Sequence, residues 1–175
     1  MIHPYCCFDG EIRPTASAGY SLADIGFLRA YAVFDYLRTY NGAPFLLDEH
    51  VARFVASASA LGLELAGGAA AACGAVMSAL EANRPTLPAG ADVGIRLLMS
   101  GGPSEDGFSM TGPPTFVVLI ESAPRYDDAA IRRGMKLLSR EFRRELPRVK
   151  TTNYLNSVLL QPELARAGAG EVLYC

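Results

Sequence analysis

The chain has 175 residues, half of them hydrophobic, with 16 Lys and Arg against 18 Asp and Glu and a formal charge of −2. This bounds one compact domain, or one and a part, with a real core. Mild acidity without a clustered basic stripe argues against nucleic acid as a partner, and no apolar run approaches the ~20 residues that a membrane span needs. Met1-Ile2-His3-Pro4-Tyr5 lacks the basic-then-apolar order of a signal peptide. Cys6, Cys7, Cys73 and Cys175 form no CxxC pair, and His3 and His50 are the only histidines, so no metal site is expected. A reducing cytoplasm is the expected location.

In chain order, residues 6–13 read as a short strand with Asp9-Gly10 as a turn, and Pro14 to Gly26 is turn-rich. Ala32 to Tyr40 is a strand, Asn41-Gly42 a tight hairpin turn, and Phe45-Leu46-Leu47 the returning strand. Asp48 is the expected N-cap of a helix in which Val51, Phe54, Val55, Ala58 and Leu61 recur at helical spacing, closed by Gly62. Within it, His50 reads as a packed or hydrogen-bonded histidine rather than a base. Arg53 offers a fork of donors suited to a phosphate dianion; the plainer reading is a solvated helical arginine.

Ala69 to Ala82 is a helix of good formers, ended by Arg84-Pro85 and Pro88. Ala91 to Met99 and Thr115 to Ile120 read as antiparallel strands. The Gly-rich loop from Ser100 to Phe108 lacks the Gly-Lys-Ser/Thr ending of a phosphate-cradling loop. These elements define a first domain over 1–121, a linker over 122–128 carrying Pro124 and two adjacent acids, and a second domain from 129 that opens with a strand at Met135 to Ser139. A last helix runs from about Tyr154 to Ala167 with Gly168 as its stop. Pro162 predicts a kink or break near Gln161, because proline removes a helical hydrogen bond.

Between that strand and that helix stands Arg148-Val149-Lys150-Thr151-Thr152-Asn153-Tyr154. A lysine at such a junction can be partly desolvated, which lowers its pKa and frees its amine for Schiff-base chemistry. The competing reading is a surface lysine at a helix start. Val149 to Tyr154 resembles the pyridoxal-phosphate lysine segment of the class IV aminotransferases, a family of branched-chain aminotransferases, D-amino acid transaminases and aminodeoxychorismate lyases. Two more blocks agree in order and spacing. They are Val33-Phe34-Asp35-Tyr36-Leu37-Arg38-Thr39-Tyr40 with Asn41-Gly42 and Pro44 to Arg53, and Gly170-Glu171-Val172-Leu173-Tyr174.

The resemblance implies an α/β (α+β) two-domain fold, its small N-terminal domain complete and its second domain only partly present. It implies pyridoxal 5'-phosphate as cofactor, amino acid and 2-oxo acid substrates, and a homodimer. Lys150 would hold the cofactor and act as base, and Arg53 would bind the phosphate. Tyr154 would meet the cofactor's phenolic oxygen, or simply pack as a helix aromatic; branched-chain members place their tyrosine one residue further on. Phe34 matches an aromatic that faces the substrate, and the loop after Ser100 matches one that approaches it. Arg96 matches a strand arginine of branched-chain enzymes, but Gly94 replaces their tyrosine two residues earlier, and Ser100 stands where D-selective enzymes carry an arginine. A mostly apolar pocket for hydrophobic, L-configured amino acids follows, with Arg96 as carboxylate partner or in a structural ion pair.

Family chains continue beyond the strand that matches Glu171 to Tyr174, supplying a glutamate for the pyridine nitrogen and two phosphate-holding loops. The 175 residues are therefore expected to be a fragment, inactive alone. The alternatives are a lyase of the aminodeoxychorismate type on the same lysine, or a non-catalytic interaction module. Cofactor colour separates the last from the enzymes, and amino-acceptor dependence separates transaminase from lyase.

Overall fold

The computed structural model describes residues 1–124 and 127–175. The chain divides into two units: Met1–Ala123 together with Arg148–Thr152, and Pro124–Pro147 together with Asn153–Cys175. The linker expected over 122–128 contains Arg125 and Tyr126, which lie outside the described residues.

The first unit begins with a hairpin, β1 (Ile2–Phe8) and β2 (Glu11–Pro14), turning on Asp9-Gly10, both at positive φ. The strand expected from residue 6 starts earlier because Ile2 pairs with Glu121 of a later strand. A short helix not expected from sequence, α1 (Ile25–Arg29), is capped by Asp24, whose carboxylate accepts from the Gly26 amide at 2.7 Å. Next comes β3 (Ala32–Tyr40), as the sequence predicts. Asn41 and Gly42 sit at φ +52° and +77°, the left-handed pair that a two-residue hairpin needs.

The return strand is shorter than expected. β4 is only Ala43–Pro44, and the chain then turns through Leu46, at φ +51°, directly into α2 (Leu47–Ala60). Phe45-Leu46-Leu47 is therefore not a strand, and Asp48 is not the N-cap. The cap position is Leu46 with no side-chain bond, while Asp48 and Glu49 sit inside the first turn, where carboxylates favour the positive helix end. Leu47 packs against the core, which draws the helix start one residue ahead of Asp48.

α3 (Gly68–Asn83) follows, then β5 (Val93–Ser100) and β6 (Thr115–Ser122). Among the described residues, the strands of this unit form one antiparallel six-stranded sheet in the order β2-β1-β6-β5-β3-β4. One sheet face carries Val33, Leu37, Ile95, Leu97, Met99, Val118 and Ile120 into a core with Phe54, Ala58, Val76 and Ala79 of the two helices. Phe54 is fully buried and meets Phe116 at 5.7 Å between ring centroids. Alternation places Phe34, Tyr36, Arg96, Leu98, Leu119 and Glu121 on the opposite face, away from α2 and α3.

In the second unit, α4 (Asp128–Arg133) precedes β7 (Leu137–Arg140), which pairs in parallel with β8 (Glu171–Tyr174). Between them lie α5 (Leu155–Leu159) and α6 (Gln161–Ala167). The helix predicted over 154–167 breaks at Leu160, with Pro162 in the first turn of α6, where its missing N–H costs nothing; Gly168 stops it in the left-handed conformation. Leu155, Val158 and Leu159, at helical spacing, are exposed. Among the described residues no helix is long and apolar enough to cross a membrane, and no group of three or more His, Cys, Asp or Glu is placed to hold a metal.

Candidate active site

The segment Arg148–Thr152 joins the first unit by backbone bonds rather than by packing alone. The Phe34 amide donates to the Lys150 carbonyl at 2.9 Å, and the Thr152 amide donates to the Ala32 carbonyl at 3.0 Å, so the segment lies along β3 like a short extra strand. From the other side, the Lys150 amide donates to Ser57 Oγ of α2 at 3.2 Å, and Ser57 is buried. Val149 completes the attachment, buried in the main core. Lys150 is thereby held between β3 and α2, and its Nζ lies 4.3 Å from the centroid of the Phe34 ring. A cation over an aromatic face is attracted by the ring quadrupole, which gives the side chain a defined direction on the open sheet face. The chain's other lysine, Lys136, donates to the Ala167 carbonyl at the end of α6.

α2 carries His50, Arg53 and Ser57 at spacings of three and four residues, a single line along the helix. Arg53 clasps the carboxylate of Asp35 with both arms of its fork, Nε to Oδ2 at 2.6 Å and Nη2 to Oδ1 at 2.7 Å. Asp35 Oδ1 also accepts from the Tyr36 amide at 2.7 Å and lies 2.8 Å from His50 Nδ1. A carboxylate can only accept, so His50 carries its proton on Nδ1 in this contact. Asp35 is fully buried, whereas the Arg53 side chain is 53% exposed. Burial pushes the Asp35 carboxyl up, but the hydrogen bonds from Arg53 and His50 and the Arg53 charge outweigh it, and the group ends below the ordinary carboxylate range.

Arg96 of β5 is gripped by Glu121 of β6, Nε to Oε1 at 2.5 Å and Nη2 to Oε2 at 3.0 Å. Of the two readings open for Arg96, the ion pair is present; the Nη1 hydrogens take no part in it. Its guanidinium also lies 5.8 Å from the Phe34 ring and 5.2 Å from the Tyr36 ring. The Tyr36 phenol leans across Gly94: a methyl group there would overlap the hydroxyl and come within 2.6 Å of Cζ. The space that the absent tyrosine at 94 would occupy is thus filled from the neighbouring strand.

The loop after β5 is ordered by its own polar groups. Ser100 is buried and donates to Asp24 at 2.7 Å. Asp106 accepts from the Phe108 and Ser109 amides at 2.8 and 2.6 Å, contacts that hold its carboxyl well below the usual range. Arg29 covers the exposed Phe108 ring at 4.6 Å.

Phe34, Arg53, Arg96 and Lys150 all belong to the first unit. Tyr154 belongs to the second, where the Arg144 guanidinium lies 5.5 Å from its ring. Sequence reasoning missed Asp35, Ser57 and Glu121. Asp35 had a signal, being the one acid within β3, followed by a helix bearing His50 and Arg53. Ser57 and Glu121 had none, since their partners come from distant chain.

The model of the family described as amino-transferase class IV matches residues 32–175, and the chain belongs to that family. It is 30% identical over 168 residues to a "Putative branched-chain-amino-acid aminotransferase" of Methanocaldococcus jannaschii, a match covering 93% of this chain and 56% of that protein. It is 26% identical over 168 residues to a D-alanine aminotransferase of Staphylococcus epidermidis, covering 94% of this chain and 58% of the relative. Among solved structures, a T.th. branched-chain amino acid aminotransferase with pyridoxamine 5'-phosphate superposes with a TM-score of 0.83 at 26% identity, covering 98% of this chain and 59% of that one. The chain therefore spans less than two thirds of the length of these relatives.

Proposed function

We propose that this protein is a pyridoxal 5'-phosphate-dependent aminotransferase that moves the amino group of a hydrophobic, branched-chain type of L-amino acid to a 2-oxo acid. The observation that carries the reading is the placement of Lys150, strapped by its backbone to β3 and α2 with its amine over Phe34. The donor set suits the cofactor: one lysine amine on the open sheet face and, one helical turn before the serine that holds that lysine, a half-exposed guanidinium fit for a phosphate dianion.

When bound, the cofactor supplies an electron sink for charge developing at the substrate Cα. Lys150 would hold it and, once displaced by the substrate amine, carry the proton between Cα and the cofactor's aldehyde carbon. Arg53 would anchor the phosphate, and Tyr154 would hydrogen-bond the phenolic oxygen. Phe34 and Arg96 form the substrate-side wall. The fork of Arg96 is shared with Glu121, so only its remaining N–H groups could meet a substrate carboxylate. Ser100, spent on Asp24, offers no cationic carboxylate anchor, which supports the L preference. A homodimer in the cytoplasm is the expected setting.

Borohydride reduction of the cofactor-loaded full-length protein, followed by peptide mapping, is expected to place a pyridoxyl group on Lys150. A group on Lys136, or on neither lysine, overturns the assignment. A panel of amino acid enantiomers with 2-oxoglutarate should show L-leucine or L-valine as donors. Clear preference for D-alanine refutes the stereochemical reading, and turnover without any amino acceptor would identify a lyase instead.

A further inference from the structure

We infer that Asp35 is a positioning residue for cofactor binding: its buried carboxylate locks the Arg53 guanidinium in one orientation, ready for a phosphate monoester dianion. The inference rests on the reading of Arg53 as the phosphate anchor and goes beyond it.

A long arginine on a helix surface samples many rotamers, and a ligand that uses it must immobilise it at binding. Here that ordering is completed on folding. Asp35 is fixed by its place within β3, by its burial and by the Tyr36 amide at 2.7 Å, so it presents a rigid pair of acceptors. Arg53 docks on it through Nε and Nη2 at 2.6 and 2.7 Å, which sets the guanidinium plane, while half of its side chain stays exposed. His50 closes the third side, its Nδ1 lying 2.8 Å from Asp35 Oδ1 and 3.1 Å from Arg53 Nη2. The locked group is well placed in the fold. Asp35 directly follows Phe34, whose amide binds the Lys150 carbonyl, and Arg53 stands one turn before Ser57, whose hydroxyl binds the Lys150 amide. One strand and one helix thus fix both the lysine backbone and the guanidinium.

Charge works in the opposite direction. Asp35 neutralises much of the Arg53 charge, so its removal should strengthen phosphate binding if charge alone mattered. Positioning predicts the reverse sign, and the experiment reads that sign. Equilibrium binding of pyridoxal 5'-phosphate and of pyridoxal, which lacks the phosphate, would be titrated against the apo form of the full-length protein. Arg53→Ala should weaken the phosphorylated ligand at least about tenfold and leave pyridoxal within about twofold. If it changes neither, the phosphate-anchor reading fails and takes this inference with it.

Given a phosphate-selective Arg53→Ala, Asp35→Asn should cost pyridoxal 5'-phosphate about tenfold and spare pyridoxal. In the Arg53→Ala background it should add no more than about twofold, since both changes remove the same oriented group. An equal loss for both ligands makes Asp35 a scaffold residue; no loss, or a gain, makes it a neutralising one, and either result overturns the proposal. Arg53→Lys gives a test that leaves the Asp35 carboxylate in place and keeps a cation beside it. It keeps the charge but not the fork and should bind pyridoxal 5'-phosphate about as weakly as Asp35→Asn. Wild-type affinity in Arg53→Lys would show that an unoriented charge suffices, and the inference would be wrong.

Discussion

Ser57→Ala tests the attachment of the lysine segment. The substitution removes one hydroxyl from a buried site, leaving a small side chain of nearly the same volume in α2. The bond it breaks is the 3.2 Å contact that satisfies the Lys150 amide. A net hydrogen bond contributes about 0.5–1.5 kcal/mol, and stranding a buried donor costs about 1–3 kcal/mol. Lys150 is only half-buried and the bond is long, so the lower end applies and about 1 kcal/mol is expected. The two bonds to β3, at 2.9 and 3.0 Å, remain and keep the segment in place. Denaturant titration of the full-length protein should show that loss with an unchanged slope. Hydrogen exchange should show the Lys150 amide opening about fivefold faster, the local equivalent of the same free energy, while the Phe34 amide keeps its protection. Unaltered exchange at Lys150 would mean that the helix does not hold the lysine and that β3 alone fixes it.

Gly94→Ala should displace the Tyr36 ring from its seat without unfolding the sheet, because the overlap is with the far end of a side chain rather than with backbone. The Tyr36 ring lies 5.2 Å from the Arg96 guanidinium, so a changed ratio of kcat/KM between small and large aliphatic donors is expected, with Tm lowered by a few degrees at most; an unchanged donor profile would mean that Tyr36 does not shape the substrate side. Acid should weaken the first unit through Asp35. Its carboxyl is held below the ordinary value of about 3.9, so its contribution is complete above that value and is lost as pH falls through the lower folded one. Asp35→Asn should therefore lower stability at pH 7 and flatten its decline below about pH 4; parallel acid profiles for both proteins would contradict the assignment. Asp106 in the loop after β5 has the same sign, and Asp106→Ala should raise protease cleavage between Ser104 and Ser109, measured by limited proteolysis.

What the sequence made legible was local. Ala32 to Tyr40 carries β-branched and aromatic residues up to Asn41-Gly42, and backbone preference alone decides that strand and turn. Pro162 likewise dictates the break between α5 and α6, whatever surrounds it. Phe45-Leu46-Leu47 misled for the opposite reason. Three apolar residues after a hairpin turn look like a strand, but nothing in their identity reveals that Leu46 adopts a left-handed conformation or that Leu47 is needed by the core. The attachment of Lys150 to the first unit was equally hidden, since its partners Phe34 and Ser57 lie about a hundred residues away in the chain.

The candidate site shows where the limit of such reading falls. Strand alternation places Asp35 on the sheet's buried face, beside Val33 and Leu37, which for an isolated carboxylate would be costly. A sequence reader meeting an acid there must either reject the strand or require buried partners for the carboxylate from elsewhere. The strand is correct, so buried partners are obligatory, and here they include a cation from an element packed on that face. The helix that follows the hairpin supplies it, with Arg53 a turn after His50. The charge that looked like a free phosphate ligand was therefore already committed to the fold. Arg53 would meet any ligand as one member of an ion pair with Asp35, and Arg96 on the open face likewise as the partner of Glu121. In both pairs the guanidinium keeps unused N–H groups while its orientation is set by the carboxylate, which is how a fold turns a mobile surface arginine into a directed donor.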